Sequence, residues 1–140
     1  MIDLLDINVW LALIDENHTH HSVALDYWNQ KPVTEKAFCR ITQLGFLRLS
    51  TRKGILSGTL SNEEAWSLYQ QFLAQPFVHF VADPPELDEH FREFTSPSLS
   101  HRLWTDAYLA AFAITRKMRF VSFNSDFNQF KGLNFLMLTE

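Results

Sequence analysis

The 140-residue sequence has one cysteine, four glycines and five prolines, and nowhere approaches the roughly 18 to 20 consecutive apolar residues that a membrane helix needs. The lone Cys39 excludes an internal disulfide and any zinc site built from several cysteines. A reducing compartment is therefore the default, and Cys39 reads as a small buried apolar residue. With no Pro- or Gly-rich linker, no repeat and no low-complexity run, residues 1–140 are expected to form a single domain. The opening Met1 to Asp6 lacks the basic region and long apolar run of a secretory signal, so a soluble cytoplasmic protein without membrane contact is expected. Basic residues are also scarce: 12 Lys and Arg against 16 Asp and Glu leave a formal net charge of -4. That balance argues against indiscriminate nucleic-acid binding, which calls for a strongly basic surface. It leaves room for a local basic patch, and carboxylates gathered round a bound cation would make the total acidic even for a protein acting on a polyanion.

What the sequence does hold is apolar material, 46% of residues with 13 Phe and 4 Trp, enough for a packed interior. Ile2 to Leu5 reads as a short buried strand ending at Asp6, and Val9 to Ile14 as the helix that follows. His21 to Gln30 repeats Val23, Ala24, Tyr27 and Trp28 at helical spacing and stops before Pro32. Ala37 to Leu49 is expected to be one helix with a wide apolar face. Ser61 with Glu64 forms a capping signature for a helix that carries Ala65, Leu68, Tyr69, Phe72 and Leu73 and ends before Pro76. Phe77 to Ala82 reads as a strand, Glu86 to Phe94 as a helix and Thr95 to His101 as a loop. Trp104 to Lys117 is the clearest helix, Phe120 to Phe123 a compact strand, and Phe135 to Leu138 a last apolar segment. Such alternation predicts an α/β domain with a mostly parallel sheet, in which the carboxyl ends of the strands collect functional residues.

That geometry directs attention to Asp6, Asn124 and Asp126. A carboxylate just past a buried strand is costly unless it is paired or binds a cation. Asp106 lies in the first turn of its helix, where the helix dipole alone accounts for an acid, so a capping role and a site role both stand. Hard divalent cations such as Mg²⁺ or Mn²⁺ take carboxylate oxygens and keep several waters, so a few acids converging from distant segments would suit them. His18, His20 and His21 with Asp15 or Glu16 offer a second, transition-metal reading, but a polar surface loop flanking the site is the expected role. His79 alternates with apolar residues, and His101 is the histidine nearest a proposed ligand. Arg116, Lys117 and Arg119 read as a charge complement to the carboxyl end of a helix.

Leu5-Asp6-Ile7-Asn8-Val9-Trp10-Leu11 resembles the opening of a PIN-domain nuclease, where a strand delivers an aspartate followed two positions later by Asn. Thr105-Asp106-Ala107-Tyr108-Leu109-Ala110-Ala111 is similar to that family's third acidic motif, and Val121-Ser122-Phe123-Asn124-Ser125-Asp126-Phe127 to its last. Length, motif order and text together resemble the VapC toxins. The resemblance implies a PIN-like three-layer α/β/α fold and hydrolytic RNA cleavage with Mg²⁺ or Mn²⁺. It implies Asp6 and Asp106 as direct metal ligands, with Asp126 and Asn124 completing the shell. Asp126 is favoured over Asn124 as the fourth acidic position because it keeps the charge. Asn8 and Ser122 would orient the carboxylates, and Arg40 and Arg48 would contact phosphate, unless both lie on a solvated helix face. It further implies a VapB-like antitoxin that brings an arginine to the acidic pocket.

One departure stands out. In Ile41-Thr42-Gln43-Leu44-Gly45-Phe46-Leu47-Arg48 the family's second acid falls at Gly45, with Gln43 nearby to supply a neutral oxygen or a substrate contact. A catalytically degenerate PIN-fold binding protein is therefore the alternative. A non-enzymatic interaction module, with Tyr27, Trp28, Trp66 and Tyr69 as a dimer or partner surface, is a second; a homodimer is expected, and dimerisation is compatible with every reading. A phosphatase using Asp6 as nucleophile is a third, weakened by Asn rather than Asp at position 8.

Overall fold

A computed structural model describes residues 1–140. Five strands, β1 (Ile2–Leu5), β2 (Glu35–Phe38), β3 (Val78–Phe80), β4 (Arg119–Ser122) and β5 (Phe135–Met137), form one sheet in the order β3-β2-β1-β4-β5. Every pairing is parallel. The six helices are α1 (Ile7–Ile14), α2 (His21–Trp28), α3 (Arg40–Ser50), α4 (Asn62–Leu73), α5 (Leu87–Phe94) and α6 (Trp104–Thr115). None of them is long and apolar enough to cross a membrane.

Alternate residues along each strand point to opposite faces, and the core divides accordingly. Leu4, Ala37 and Phe120 pack with α5 and α6, whereas Leu5, Phe38 and Val121 pack with α1 to α4. The result is the expected three-layer α/β/α arrangement with the sheet in the middle. The α6 contribution is a run of small residues, Ala107, Ala110, Ala111 and Ala113, which lets that helix lie close to the sheet. On the other face Trp10 stacks on Phe38 at 3.8 Å between ring centroids, with Phe72 and Trp28 edge-on to Trp10. Tyr27 and Tyr69 are buried there, so those aromatics are core; Trp66 alone of the four stays about half exposed.

The segment expected to be one helix from Ala37 to Leu49 is instead a strand and a helix. Ala37 and Phe38 belong to β2, and Cys39, with extended backbone (φ -110°, ψ 178°), separates them from α3. A strand buried on both faces has no alternating signature, so its apolar residues merge with the helical pattern beyond it. Cys39 is fully buried, as expected, and donates its N–H to the Thr42 hydroxyl at 2.9 Å.

Arg119 also departs from expectation. It opens β4 rather than closing α6, and its guanidinium donates to both oxygens of the buried Asp3 on β1, at 3.0 and 2.8 Å. The Tyr27 hydroxyl donates to the same carboxylate at 2.5 Å. Arg116 reaches the Ala82 carbonyl, and Lys117 takes φ 57°, the left-handed conformation common just past a helix end. Near Asp3, the buried Lys36 donates to the Thr34 carbonyl and hydroxyl, with its ammonium about 5 Å from the rings of Tyr27, Trp28 and Phe77. The amino ends of the central strands are therefore fully compensated.

Removing one member of this cluster leaves a buried charge unpaired. Arg119→Ala is expected to destabilise the fold by about 3 kcal/mol, and Tyr27→Phe by about 1 kcal/mol, both read from the midpoint of urea unfolding. Equal small losses would mean that Asp3 is not held as a desolvated ion.

Candidate active site

Helices leave the carboxyl end of β1 on one face and approach β4 from the other, so the chain reverses its winding beside β1. That is the switch point at which open parallel sheets bind ligands. Asp6 stands there. Its N–H donates to Val121 in the neighbouring strand at 2.9 Å, and its carbonyl accepts from Val9, so one residue ends the strand and begins α1. Its Oδ1 caps the helix by accepting from the Ile7 N–H at 2.8 Å, and its Oδ2 accepts from the Ser122 hydroxyl at 2.7 Å.

Ser122, at the end of β4, is a hub. Its oxygen accepts from Asn8 Nδ2 at 3.2 Å and from the Asn124 N–H at 3.0 Å, and Asn8 Oδ1 accepts from the Phe123 N–H at 3.4 Å. Asn124 in turn caps the short turn 125–129 by accepting from the Asp126 N–H at 3.0 Å. Asp6, Asn8, Ser122, Asn124 and Asp126, taken from both ends of the chain, thus form one connected group.

Asp106 comes from a third direction, the first turn of α6. Its carboxyl is pushed up to about 6 by burial, then by the nearby charges of Asp6 and Asp126. Burial likewise raises Asp6, against the opposing pull of the Ser122 hydroxyl and the Ile7 N–H. The chain's three ion pairs, His20 with Glu140, His79 with Glu35 and Arg119 with Asp3, all lie elsewhere. Asp6 and Asp126 thus lie near enough to act on Asp106 by their charge, and none of the three acids is in an ion pair. They do not close on a single point as three direct ligands. Carboxylates without a counter-ion are what a hard cation takes, with water filling its remaining positions.

The remaining sequence candidates divide. Gln43 is buried, and its Oε1 accepts from Arg40 Nη1 at 2.5 Å. Arg40 is exposed, with its guanidinium 4.6 Å from the Phe80 ring centre at the carboxyl end of β3. Arg48 is exposed in the last turn of α3, a favourable place for a cation whatever the function. Gly45 faces α1: a β-carbon there would overlap the end of the Ile7 side chain and lie 2.8 Å from Ile7 Cγ1. With α1 packed this closely, position 45 has no room for an acidic side chain unless Ile7 moves. His101 is exposed in the turn before α6. His20 stacks on Phe123 at 4.4 Å with the rings 14° apart, which places the histidine loop beside the Asn8–Ser122 group. The Asp3 cluster escaped the sequence reading, although an acid inside the apolar run Ile2 to Leu5 was a visible signal.

A match to the PIN domain spans residues 4–133. The chain is similar to Ribonuclease VapC41 of Mycobacterium tuberculosis H37Rv, 37% identical over 98% of this chain and 99% of that one. This chain belongs to the PIN-domain family. Solved structures agree in fold: VapBC-1 from nontypeable Haemophilus influenzae superposes with a TM-score of 0.70 over the whole of both chains at 15% identity. The sarcin-ricin-loop-cleaving toxin VapC20 of Mycobacterium tuberculosis gives 0.68 over 94% of this chain and 97% of its own, also at 15% identity.

Two predictions follow from the geometry of this PIN domain. A carboxyl raised in the folded state stabilises it only while protonated, so Asp106 weakens the fold as pH climbs from about 4 through 6. Without divalent cations, Asp106→Asn is expected to be about 1 to 2 kcal/mol more stable than the parent at pH 8, after allowance for partial exposure, and indistinguishable at pH 4, by thermal melts across pH. At position 45, Gly→Ala should cost about 1 to 2 kcal/mol despite alanine's better helix propensity. The cost should shrink in an Ile7→Ala background; additive losses would show that the two residues do not meet.

Proposed function

We propose that this PIN domain is a metal-dependent endoribonuclease, the toxin of a VapBC-type toxin–antitoxin pair, acting in the cytoplasm as a homodimer. The observation that supports the reading is that Asp6 and Asp126 lie near enough to Asp106 to act on it by their charge, none of them in an ion pair, with Asp6 at the switch point of the sheet. The ribonuclease relatives supply the substrate class.

Asp6 and Asp106 would hold Mg²⁺ or Mn²⁺, with Asp126 and Asn124 completing its surroundings directly or through water. When bound, the cation neutralises charge on the phosphodiester and makes water a better nucleophile. The chain's own residues do the positioning. Ser122 donates to Asp6 Oδ2 and leaves Oδ1 to the helix cap, which fixes the carboxylate plane. Asn8 holds Ser122 in turn, so loss of either lets Asp6 rotate. Asp106 and Asp6, both pushed up in isolation, stay ionised at neutral pH once a cation offsets their repulsion. Arg40, exposed and oriented by Gln43, is placed to meet a phosphate. A VapB-like antitoxin that brings an arginine to the acids would silence the enzyme by supplying the positive charge they lack.

The test is cleavage of a mixed RNA pool in Mg²⁺ or Mn²⁺. Asp6→Ala and Asp106→Ala should fall to background and Ser122→Ala by about 10- to 100-fold, with chelation abolishing all cutting. Intact RNA under every metal condition, from folded protein free of antitoxin, would overturn the reading.

A further inference from the structure

We propose that the aromatic recess beside Asp106 is a nucleobase subsite, which holds the base next to the phosphate being cut; the proposal rests on the ribonuclease reading above. The recess is a cavity of about 230 Å³ lined by Ile41, Phe91, Trp104, Thr105 and Tyr108. Trp104 and Tyr108 lie one turn apart on α6, and the ring of Phe91 meets both edge-to-face, each at 5.9 Å between centroids. The Tyr108 hydroxyl donates to Asp83, which fixes that ring. Three rings thus form a preset wall, and Trp104 remains 50% exposed.

A large exposed indole at the mouth of an apolar recess is costly to leave in water, so its placement matters. Thr105, which lines the recess, is bonded directly to Asp106, and neighbouring α-carbons are about 3.8 Å apart. The wall and the catalytic carboxylate therefore belong to the same helical turn. Asp106 does not itself line the recess and projects about 100° round the helix from Thr105, so a strand would reach from the carboxylate to the recess across the amino end of α6.

Charge favours the same occupant. Arg40 directly precedes Ile41 of the recess, and the exposed His101 and Arg102 form the turn leading into Trp104. These exposed cationic residues flank recess residues in the chain, and cations so placed suit the neighbouring phosphates of a strand whose base is stacked. Flat aromatic surface, cations at the margin and an adjacent phosphodiester-cleaving site match an unpaired base of single-stranded RNA. The Thr105 hydroxyl, exposed at the edge, can read the hydrogen-bonding edge of that base.

The experiment uses random-sequence single-stranded RNA 12-mers. With Asp6→Asn protein, which binds without cutting, Trp104→Ala should weaken binding by about tenfold in fluorescence anisotropy, and Trp104→Phe should largely restore it. In the otherwise wild-type enzyme, Trp104→Ala should raise KM more than it lowers kcat and flatten the base preference at one position beside the cut. Independently of any recess variant, ultraviolet cross-linking of 4-thiouridine RNA to the Asp6→Asn protein should mark a peptide that contains Trp104 or Tyr108. Unchanged affinity, unchanged cleavage pattern and cross-links elsewhere would overturn the subsite while the enzyme still cuts. Weakened antitoxin binding with RNA binding intact would also overturn it, and would assign the recess to the protein partner. If the wild type cuts no RNA, the ribonuclease reading fails by itself, and anisotropy and cross-linking still decide whether RNA occupies the recess.

Discussion

Two aspartates three residues apart, Asp3 within β1 and Asp6 just past its end, meet opposite electrostatic fates, and most of the molecule is arranged around that contrast. Asp3 is buried and compensated by a two-pronged Arg119 and by Tyr27. Asp6 is offered only a hydroxyl and one backbone N–H, and with Asp126 it adds negative charge near Asp106. Burying an ion without a counter-ion is among the most expensive features a small domain can carry. The fold meets that cost at one end of the strand and leaves it standing at the other.

The compensated end serves the uncompensated one. Arg119 fastens β4 to β1 at their amino ends, and the pairing of Leu5 with Val121 carries that register to the carboxyl ends. Ser122 then arrives beside Asp6 within hydrogen-bond distance, although 116 positions separate them in the chain. A one-residue slip would turn Phe120 and Val121 to the wrong faces and remove Ser122 from Asp6, so core packing and site geometry impose the same register.

Much of this was legible from residues alone where the pattern was local. The β1 run ending in Asp6, the capping box at Ser61 and Glu64, and the Ala-rich face of α6 each follow from spacing, and the structure has all three. What escaped depended on partners distant in sequence. Ala37 and Phe38 look helical because the strand they form is buried on both sides and passes into α3 after one residue. Arg119 looks like a helix end because Asp3, its actual partner, lies at the other terminus of the chain. Gly45 looks like a missing ligand until Ile7 is placed against it, and no periodicity in either segment announces that contact.

The acidic net charge also takes on a different meaning once the acids are placed. A single divalent cation would offset two of the four formal negative charges, and it would do so at the point where a phosphodiester has to arrive. Over the whole chain acids outnumber Lys and Arg, so long-range attraction for a polyanion is weak and affinity has to be concentrated near the site. Arg40 and the turn before α6 supply charge there, and the exposed Trp104 supplies stacking area that salt screens far less than it screens ion pairs. On the proposed reading, such a protein would bind its polymer weakly wherever it lands and firmly only where a base can enter near the acids, and that distribution of charge would itself be a source of selectivity.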